Sequence, residues 1–111
     1  MKEVLTPLQS EGLLFRRFEP FSLKEIGSRK RMRVYHGVDM AGRYTLVFSV
    51  KKKSPVLEKE AREWLALKRR IEVYYGYPIL QVVAMIAAPM CFKAQTLLRS
   101  EGWRLLDHDS L

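Results

Sequence analysis

Two stretches near the middle of the chain have the polar and apolar pattern of β-strands. In residues 32–38, apolar and polar side chains alternate, as in a strand with one buried face. Residues 44–51 are rich in the β-branched and aromatic side chains that favour strands. Residues 39–43 between them include Gly42, at a position where a hairpin turn often needs a positive φ angle. We therefore predict a β-hairpin.

The stretch after the hairpin predicts a long amphipathic helix. Ser54 and Pro55 are suited to the N-cap and the first helical position, and Gly76 is suited to end the helix. Five apolar residues and one glutamate follow at helical spacing: Leu57, Glu60, Trp64, Leu67, Ile71 and Tyr74.

The C-terminal third predicts a strand, a helix and a further strand. Residues 78–88 are almost continuously apolar, which is typical of a central strand covered on both faces. Residues 92–100 predict a short helix that Gly102 ends, and residues 103–107 predict a last short strand.

The N-terminal part is patterned less strongly. Residues 14–22 predict a strand, and Pro20 favours a place at the edge of a sheet. Before it, Thr6 and Pro7 are suited to the N-cap and the first turn of a short helix.

The order of these elements predicts an α/β fold. A hairpin that crosses to a parallel strand through one helix gives a mixed sheet of four or five strands with helices on its faces. The length of 111 residues fits a single domain, residues 1–111, with one hydrophobic core.

The charge balance favours polyanionic partners. Twenty lysines and arginines face twelve acidic residues, for a formal net charge of +8. Nucleic acid is the commonest partner of so basic a domain, and an anionic membrane surface or an acidic protein are the alternatives. Two clusters are candidate phosphate contacts: Arg29, Lys30, Arg31 and Arg33 in the first, and Lys51 and Lys53 in the second. Each cluster can also be a solvated loop or strand end.

Cysteine content and hydropathy exclude several classes. The chain has one cysteine, so it has no intrachain disulfide and lacks the ligands of a structural zinc site. No apolar run has the roughly 20 residues of a membrane span. We predict a cytoplasmic protein with no membrane partner.

Three stretches together resemble the core of the PD-(D/E)XK nucleases. They are Phe-Ser-Val-Lys at residues 48–51, the predicted helix of residues 55–75, and residues 83–104, in which Ala-Pro leads into a helix that ends near a glycine. The resemblance covers residues 30–106 and implies a restriction-endonuclease-like core. It also implies a DNA partner and a homodimer.

The resemblance assigns site residues as well. Members of this family hold Mg²⁺ with carboxylates at the ends of two adjacent strands, and the lysine of a Glu-x-Lys motif assists the attacking water. Lys51 matches that lysine, and Ser49 stands where the glutamate is expected. The upstream aspartate matches best to Asp39, although it lies closer to Lys51 than is usual. His36 has a more usual spacing but is a poor Mg²⁺ ligand.

Some family members with Ser-x-Lys take the missing glutamate from the helix that follows. Here Glu60 lies on the apolar stripe, and Glu63 has a more typical distance along the chain. Glu19, at the end of the first strand, is a further candidate. The sequence leaves two hypotheses open: Mg²⁺ bound by Asp39 with Glu60 or Glu63, or an acidic site that has degenerated.

Three functions follow from these patterns. The leading hypothesis is a nucleic-acid-binding domain on a nuclease-like scaffold, with DNA favoured over RNA. The second is a Mg²⁺-dependent endonuclease, so the sequence does not decide whether the protein is an enzyme. The third is a non-catalytic subunit whose basic face docks an acidic protein, which predicts a large exposed apolar patch. Five tyrosines can stack on bases or pack at the rim of a core: Tyr35, Tyr44, Tyr74, Tyr75 and Tyr77.

Overall fold

The computed structural model describes residues 2–30 and 32–107. Its elements, in chain order, are α1 (Lys2–Ser10), β1 (Phe15–Phe21), a short 3₁₀ helix (Leu23–Ile26), β2 (Arg33–Asp39), β3 (Tyr44–Lys51), α2 (Glu58–Tyr75), β4 (Gln81–Ala87), α3 (Phe92–Ser100) and β5 (Arg104–Asp107). None of the helices in these two ranges is long and apolar enough to cross a membrane.

The five strands form one mixed sheet in the order β1-β2-β3-β4-β5. β1, β2 and β3 pair antiparallel, whereas β3, β4 and β5 pair parallel. α2 therefore carries the chain from β3 back to the start of β4, and α3 does the same between β4 and β5. The predicted α/β class and mixed sheet are confirmed.

Alternation along β3 places a core on each face of the sheet. Leu46, Phe48 and Val50 point to the face covered by α2 and α3, where they join the larger cluster of buried side chains. Val47 points to the opposite face, where it joins a smaller cluster with side chains of α1. The sheet is thus covered on both sides along its central strands.

The sequence predicts that α2 begins at Pro55, but the helix begins at Glu58. Val56, which would lie in the first helical turn, is fully buried and pairs with the segment before α3. Its N–H donates to the carbonyl of Pro89 at 2.8 Å, and its carbonyl accepts from the N–H of Cys91 at 3.0 Å. Burying a valine contributes about 1.5–3 kcal/mol, which exceeds the typical value of about 1 kcal/mol for an N-cap.

α1 begins at Lys2, four residues before the predicted start at Thr6, so that Pro7 lies inside the helix. A proline there removes one backbone hydrogen bond and strains the preceding turn. Val4 and Leu8 lie one turn apart and are 1% and 0% exposed. The helix therefore includes the residues before Pro7, because the side chains of Val4 and Leu8 are both buried on the sheet.

We expect Phe48→Ala to destabilise the domain by about 3–5 kcal/mol, since a large cavity would replace a fully buried ring. That ring packs edge-on against Trp64 and Trp103. The same substitution at Phe92, which is 79% exposed on α3, is the matched control and should change stability by less than about 0.5 kcal/mol. Urea denaturation followed by tryptophan fluorescence measures both, and equal losses would contradict the placement of Phe48 in the core.

Candidate nucleic-acid interface

The start of β2 and the end of β3 lie side by side at one end of the sheet. Arg33, the first residue of β2, pairs with Ser49, two residues before the end of β3. The basic loop that precedes β2 and the three lysines at residues 51–53 therefore meet at this end, although they are some twenty positions apart in the sequence. We call this region the basic end of the sheet.

Three polar side chains share one face at the basic end. Ser49 and Lys51 lie two and four residues after the buried Val47 in the strand, so they share its face on the α1 side of the sheet. Arg33 lies on the same side, because its Nη1 contacts Oε1 of Glu3 on α1 at 3.4 Å. The pair is exposed to solvent, so it contributes little to stability and leaves the guanidinium accessible.

An open groove of about 630 Å³ runs along the basic end beside the 3₁₀ helix. Its wall includes aliphatic and aromatic side chains such as Phe21 and Met32, together with the hydroxyls of Ser22 and Ser28. Four basic side chains line it: Lys24, Arg29, Lys30 and Arg33. Arg31, the remaining predicted contact of this loop, lies outside the described residues. The groove therefore combines an apolar wall with hydrogen-bond donors and cations.

Ion pairs neutralise only part of this charge. Lys30 pairs with Glu63, and Lys52 pairs with Glu60. The ammonium of Lys30, hydrogen-bonded to Glu63, holds the pKa of that carboxyl below its usual value. Within residues 2–30 and 32–107, no ion pair involves the four remaining cations of the basic end: Lys24, Arg29, Lys51 and Lys53.

Asp39, the predicted partner of Lys51 in metal binding, lies at the other end of the hairpin. β3 carries the chain seven residues from Tyr44 to Lys51, which is about 23 Å in an extended strand. The carboxylate of Asp39 accepts from the N–H groups of Ala41 and Arg43 at 2.9 and 2.8 Å and from Nε of Arg43 at 2.8 Å. The backbone hydrogen bond from Arg43 is the main cause that lowers its pKa. Asp39 therefore closes the hairpin turn.

The structure does not bring the other predicted metal ligands to Lys51. Glu60 binds Lys52, whose side chain alternates with Lys51 and points to the opposite face. Glu63 binds Lys30. In the described part of the chain, no group of three or more His, Cys, Asp and Glu side chains is placed to hold a metal ion. The Mg²⁺ assignment stays a prediction, and the residues at the basic end do not fit Mg²⁺.

Glu19 and His36 lie away from Lys51. They pair with each other across β1 and β2, and the Nε2 of His36 lies 2.8 Å from the hydroxyl of Tyr77. His36 is thus hydrogen-bonded within the fold. Six of the seven residues of β2 are buried, so the strand is covered on both faces, whereas the alternation in its sequence predicts one buried face.

Sequence patterns missed two residues of the basic end. Lys24 lies in the 3₁₀ helix, where no basic run marks it, and it joins the groove only because the helix folds back beside β2. Glu3 reaches Arg33 from α1, thirty residues away. Neither contact has a local signal in the sequence.

Three solved structures share this fold over nearly the whole chain. A repair endonuclease from Pyrococcus abyssi matches with a TM-score of 0.56 and 16% identity, over 96% of this chain and 42% of that chain. EndoMS in its apo form matches with a TM-score of 0.59 and 13% identity, over 96% and 44%. An EndoMS–dsDNA complex matches with a TM-score of 0.53 and 15% identity, over 95% and 42%.

The likeness establishes a nuclease-like fold, as the sequence resemblance predicts. The chain spans less than half the length of the chains it matches. No protein-family description matches the sequence. No curated protein matches it either.

We expect Asp39→Ala to lower the urea midpoint at pH 7, because two backbone N–H groups and Arg43 lose their acceptor. Since folding lowers the pKa of Asp39, its stabilising effect is present above its unfolded pKa of about 3.9. That effect is lost as the pH falls through the folded pKa. The difference between the variant and the wild type should therefore shrink below about pH 4.

Asp39→Asn is the control, because an amide oxygen keeps one acceptor in the turn. It should lose less stability than Asp39→Ala. A metal ligand would behave differently: Mg²⁺ would raise the urea midpoint of the wild type, and both variants would abolish that rise. Such a result would contradict the assignment of Asp39 to the turn.

Proposed function

We propose that this domain binds nucleic acid by its phosphate backbone at the basic end of the sheet and needs no metal ion to do so. The observation that supports it most is the convergence of cations from the start of β2 and the end of β3 at one end of the sheet. Four of the cations at this end line an open groove: Lys24, Arg29, Lys30 and Arg33. The sequence separates these residues, and the fold brings them together.

The chemistry of the basic end suits phosphate groups. Arg29 and Arg33 offer planar guanidinium forks that match two phosphate oxygens, and lysines add point charges. Ser49 adds a hydroxyl donor on the face it shares with Lys51. Four cations there have no carboxylate partner in the described ranges, so a polyanion would relieve their mutual repulsion and release its own counterions.

DNA is the partner that we propose first. One of the structures with this fold is an EndoMS–dsDNA complex, and the fold of this chain presents its open groove at a sheet end. A homodimer, which would double the length of duplex contacted, stays a prediction that a single chain does not test.

The residues at the basic end argue against a divalent metal as part of this binding. Arg33 and Ser49 are paired on adjacent strands, where the resemblance to nucleases implies carboxylates. A guanidinium repels Mg²⁺ and attracts phosphate, and a serine hydroxyl is a weak replacement for a carboxylate ligand. The same position therefore favours direct contact with phosphate.

We expect the double variant Arg29→Ala/Lys53→Ala to bind duplex DNA about tenfold more weakly than the wild type, as loss of two exposed ionic contacts implies. The slope of log Kd against log salt should fall by about 2, since two phosphate contacts are removed. Fluorescence anisotropy at several salt concentrations measures both quantities.

The control removes the same charge elsewhere. Arg69 and Arg99 are exposed on α2 and α3, and Arg69→Ala/Arg99→Ala should keep an affinity within about twofold of the wild type. Equal losses in both double variants would show that net charge alone drives binding. Binding of an acidic protein but not of DNA would instead favour a protein-docking subunit.

We also expect duplex DNA to bind at least as tightly in EDTA as in Mg²⁺, and to remain uncut with Mg²⁺ or Mn²⁺. The reason is that Arg33 and the lysines, and not a metal, meet the phosphates. Gel analysis of labelled duplex, branched and single-stranded DNA and of RNA provides the measurement. Cleavage that is lost in Lys51→Ala and in Glu60→Gln or Glu63→Gln would overturn this expectation and establish a Mg²⁺-dependent endonuclease with a relocated glutamate.

A further inference from the structure

A row of aromatic rings lies on the α2 side of the sheet. At one end of the row, Tyr75 contacts Phe21 of the groove wall, and at the other end Tyr44 begins β3. The row consists of His36, Tyr44, Tyr75 and Tyr77, which come from β2, the start of β3, the end of α2 and the loop that follows α2. Each ring contacts at least two of the other three, and the ring centroids of the contacting pairs lie 4.0–6.1 Å apart. Strand alternation places His36 and Tyr44 on the α2 side of the sheet, where Val34 and Leu46 are buried.

The inner members of the row are fixed by the core. His36 is only 7% exposed and stacks on Tyr75 with ring centroids 4.2 Å apart and planes 27° apart. Its Nε2 lies 2.8 Å from the hydroxyl of Tyr77, which holds that ring in place. Burial lowers the pKa of His36 and raises the pKa of Tyr75 to about 12, so both rings are neutral at physiological pH.

The outer member is exposed. Tyr44 stacks on Tyr77 with centroids 4.0 Å apart and planes 21° apart, yet 43% of Tyr44 remains open to solvent. Tyr44 therefore exposes one side of its ring, and its orientation is fixed by stacking on Tyr77, which His36 holds in place.

Two arginines flank this ring. Arg43 precedes Tyr44 in the chain and has a side chain that is 69% exposed. Arg17, on β1, acts electrostatically on Tyr77 and His36. Two acidic residues lie in the same region: Asp39 is engaged in the hairpin turn with Arg43, and Glu19 acts on His36, Tyr75 and Tyr77.

We propose that Tyr44, supported by Tyr77, is a stacking platform for one unpaired base of a single-stranded nucleic acid, and that Arg17 and Arg43 meet the adjoining phosphates. This site rests on the proposed function, because it serves a chain that also engages nucleic acid at the basic end. Tyr44 is separated from Lys51 of the basic end by the length of β3, about 23 Å. The platform would distinguish a strand with unpaired bases from an intact duplex, whose bases are stacked on each other.

The test uses the full chain and short oligonucleotides, DNA and RNA, that carry one 2-aminopurine, together with a matching duplex. In the wild type, stacking on Tyr44 should quench the fluorescence of 2-aminopurine in the single strand. Tyr44→Leu should remove the quenching and weaken single-strand binding by about tenfold or more. Binding of duplex should stay within about twofold. Tyr44→Trp should keep both quenching and affinity, since it keeps a ring.

A second variant and a control guard against loss of folding. Arg17→Gln leaves the rings in place and should weaken single-strand binding, with a salt slope lower by about 0.7. Phe92→Leu changes an aromatic residue on α3 that is more exposed than Tyr44, and it should change neither readout. Quenching with DNA, with RNA or with both supports the platform and identifies its strand.

Other outcomes overturn the proposal. If Tyr44→Leu binds the single strand as tightly as the wild type, or if Tyr44→Trp behaves like Tyr44→Leu, the platform is wrong, while salt-sensitive duplex binding would still support the basic end. If the wild type binds no nucleic acid of any form, both the platform and the proposed function fall.

Discussion

The pairing of Arg33 with Ser49 follows from a hairpin that Asp39 and Arg43 close at its turn. A one-residue slip of β3 would move Leu46 and Phe48, both fully buried, to the other face of the sheet. The two cores thus lock the register from both sides, and the turn locks it from its end. The composition of the basic end depends on this register, because it decides which residue of β2 stands beside Ser49.

The sequence predicts an element correctly where local preferences and tertiary contacts favour the same bounds. β3 and α3 have the predicted bounds, since each has strong internal preferences and clear ends. α1 and the start of α2 differ because the decisive contacts are distant in sequence. Val56 is not helical as predicted, because its backbone hydrogen-bonds to Pro89. α1 begins before Pro7, because Val4 is buried on the sheet. Such contacts outweigh a cap, and no window of neighbouring residues contains them.

The candidate site also depends partly on local sequence and partly on contacts between distant residues. The sequence marked Arg29, Lys30 and Lys51 as cations, but their convergence at one end of the sheet depends on the strand pairing. The resemblance matches Asp39 best to the upstream aspartate although it lies closer to Lys51 along the chain than is usual. In an antiparallel hairpin, closeness along the chain does not give closeness in space. Residues near the turn are few positions from the end of β3 yet lie a whole strand away from it, whereas the residue beside Ser49 is much farther along the chain.

The charges around the basic end explain why one scaffold can serve different chemistries. Carboxylates on adjacent strand ends would concentrate negative charge and bind a metal that then meets phosphate. Here Arg33 occupies a strand end itself, so the positive charge is part of the chain, and in the binding that we propose the phosphate needs no bridging ion. Glu60 and Glu63 neutralise Lys52 and Lys30 and do not converge on Lys51. The cations that have no carboxylate partner among the described residues are therefore available to phosphate. In the binding that we propose, salt, and not a chelator, would weaken the complex.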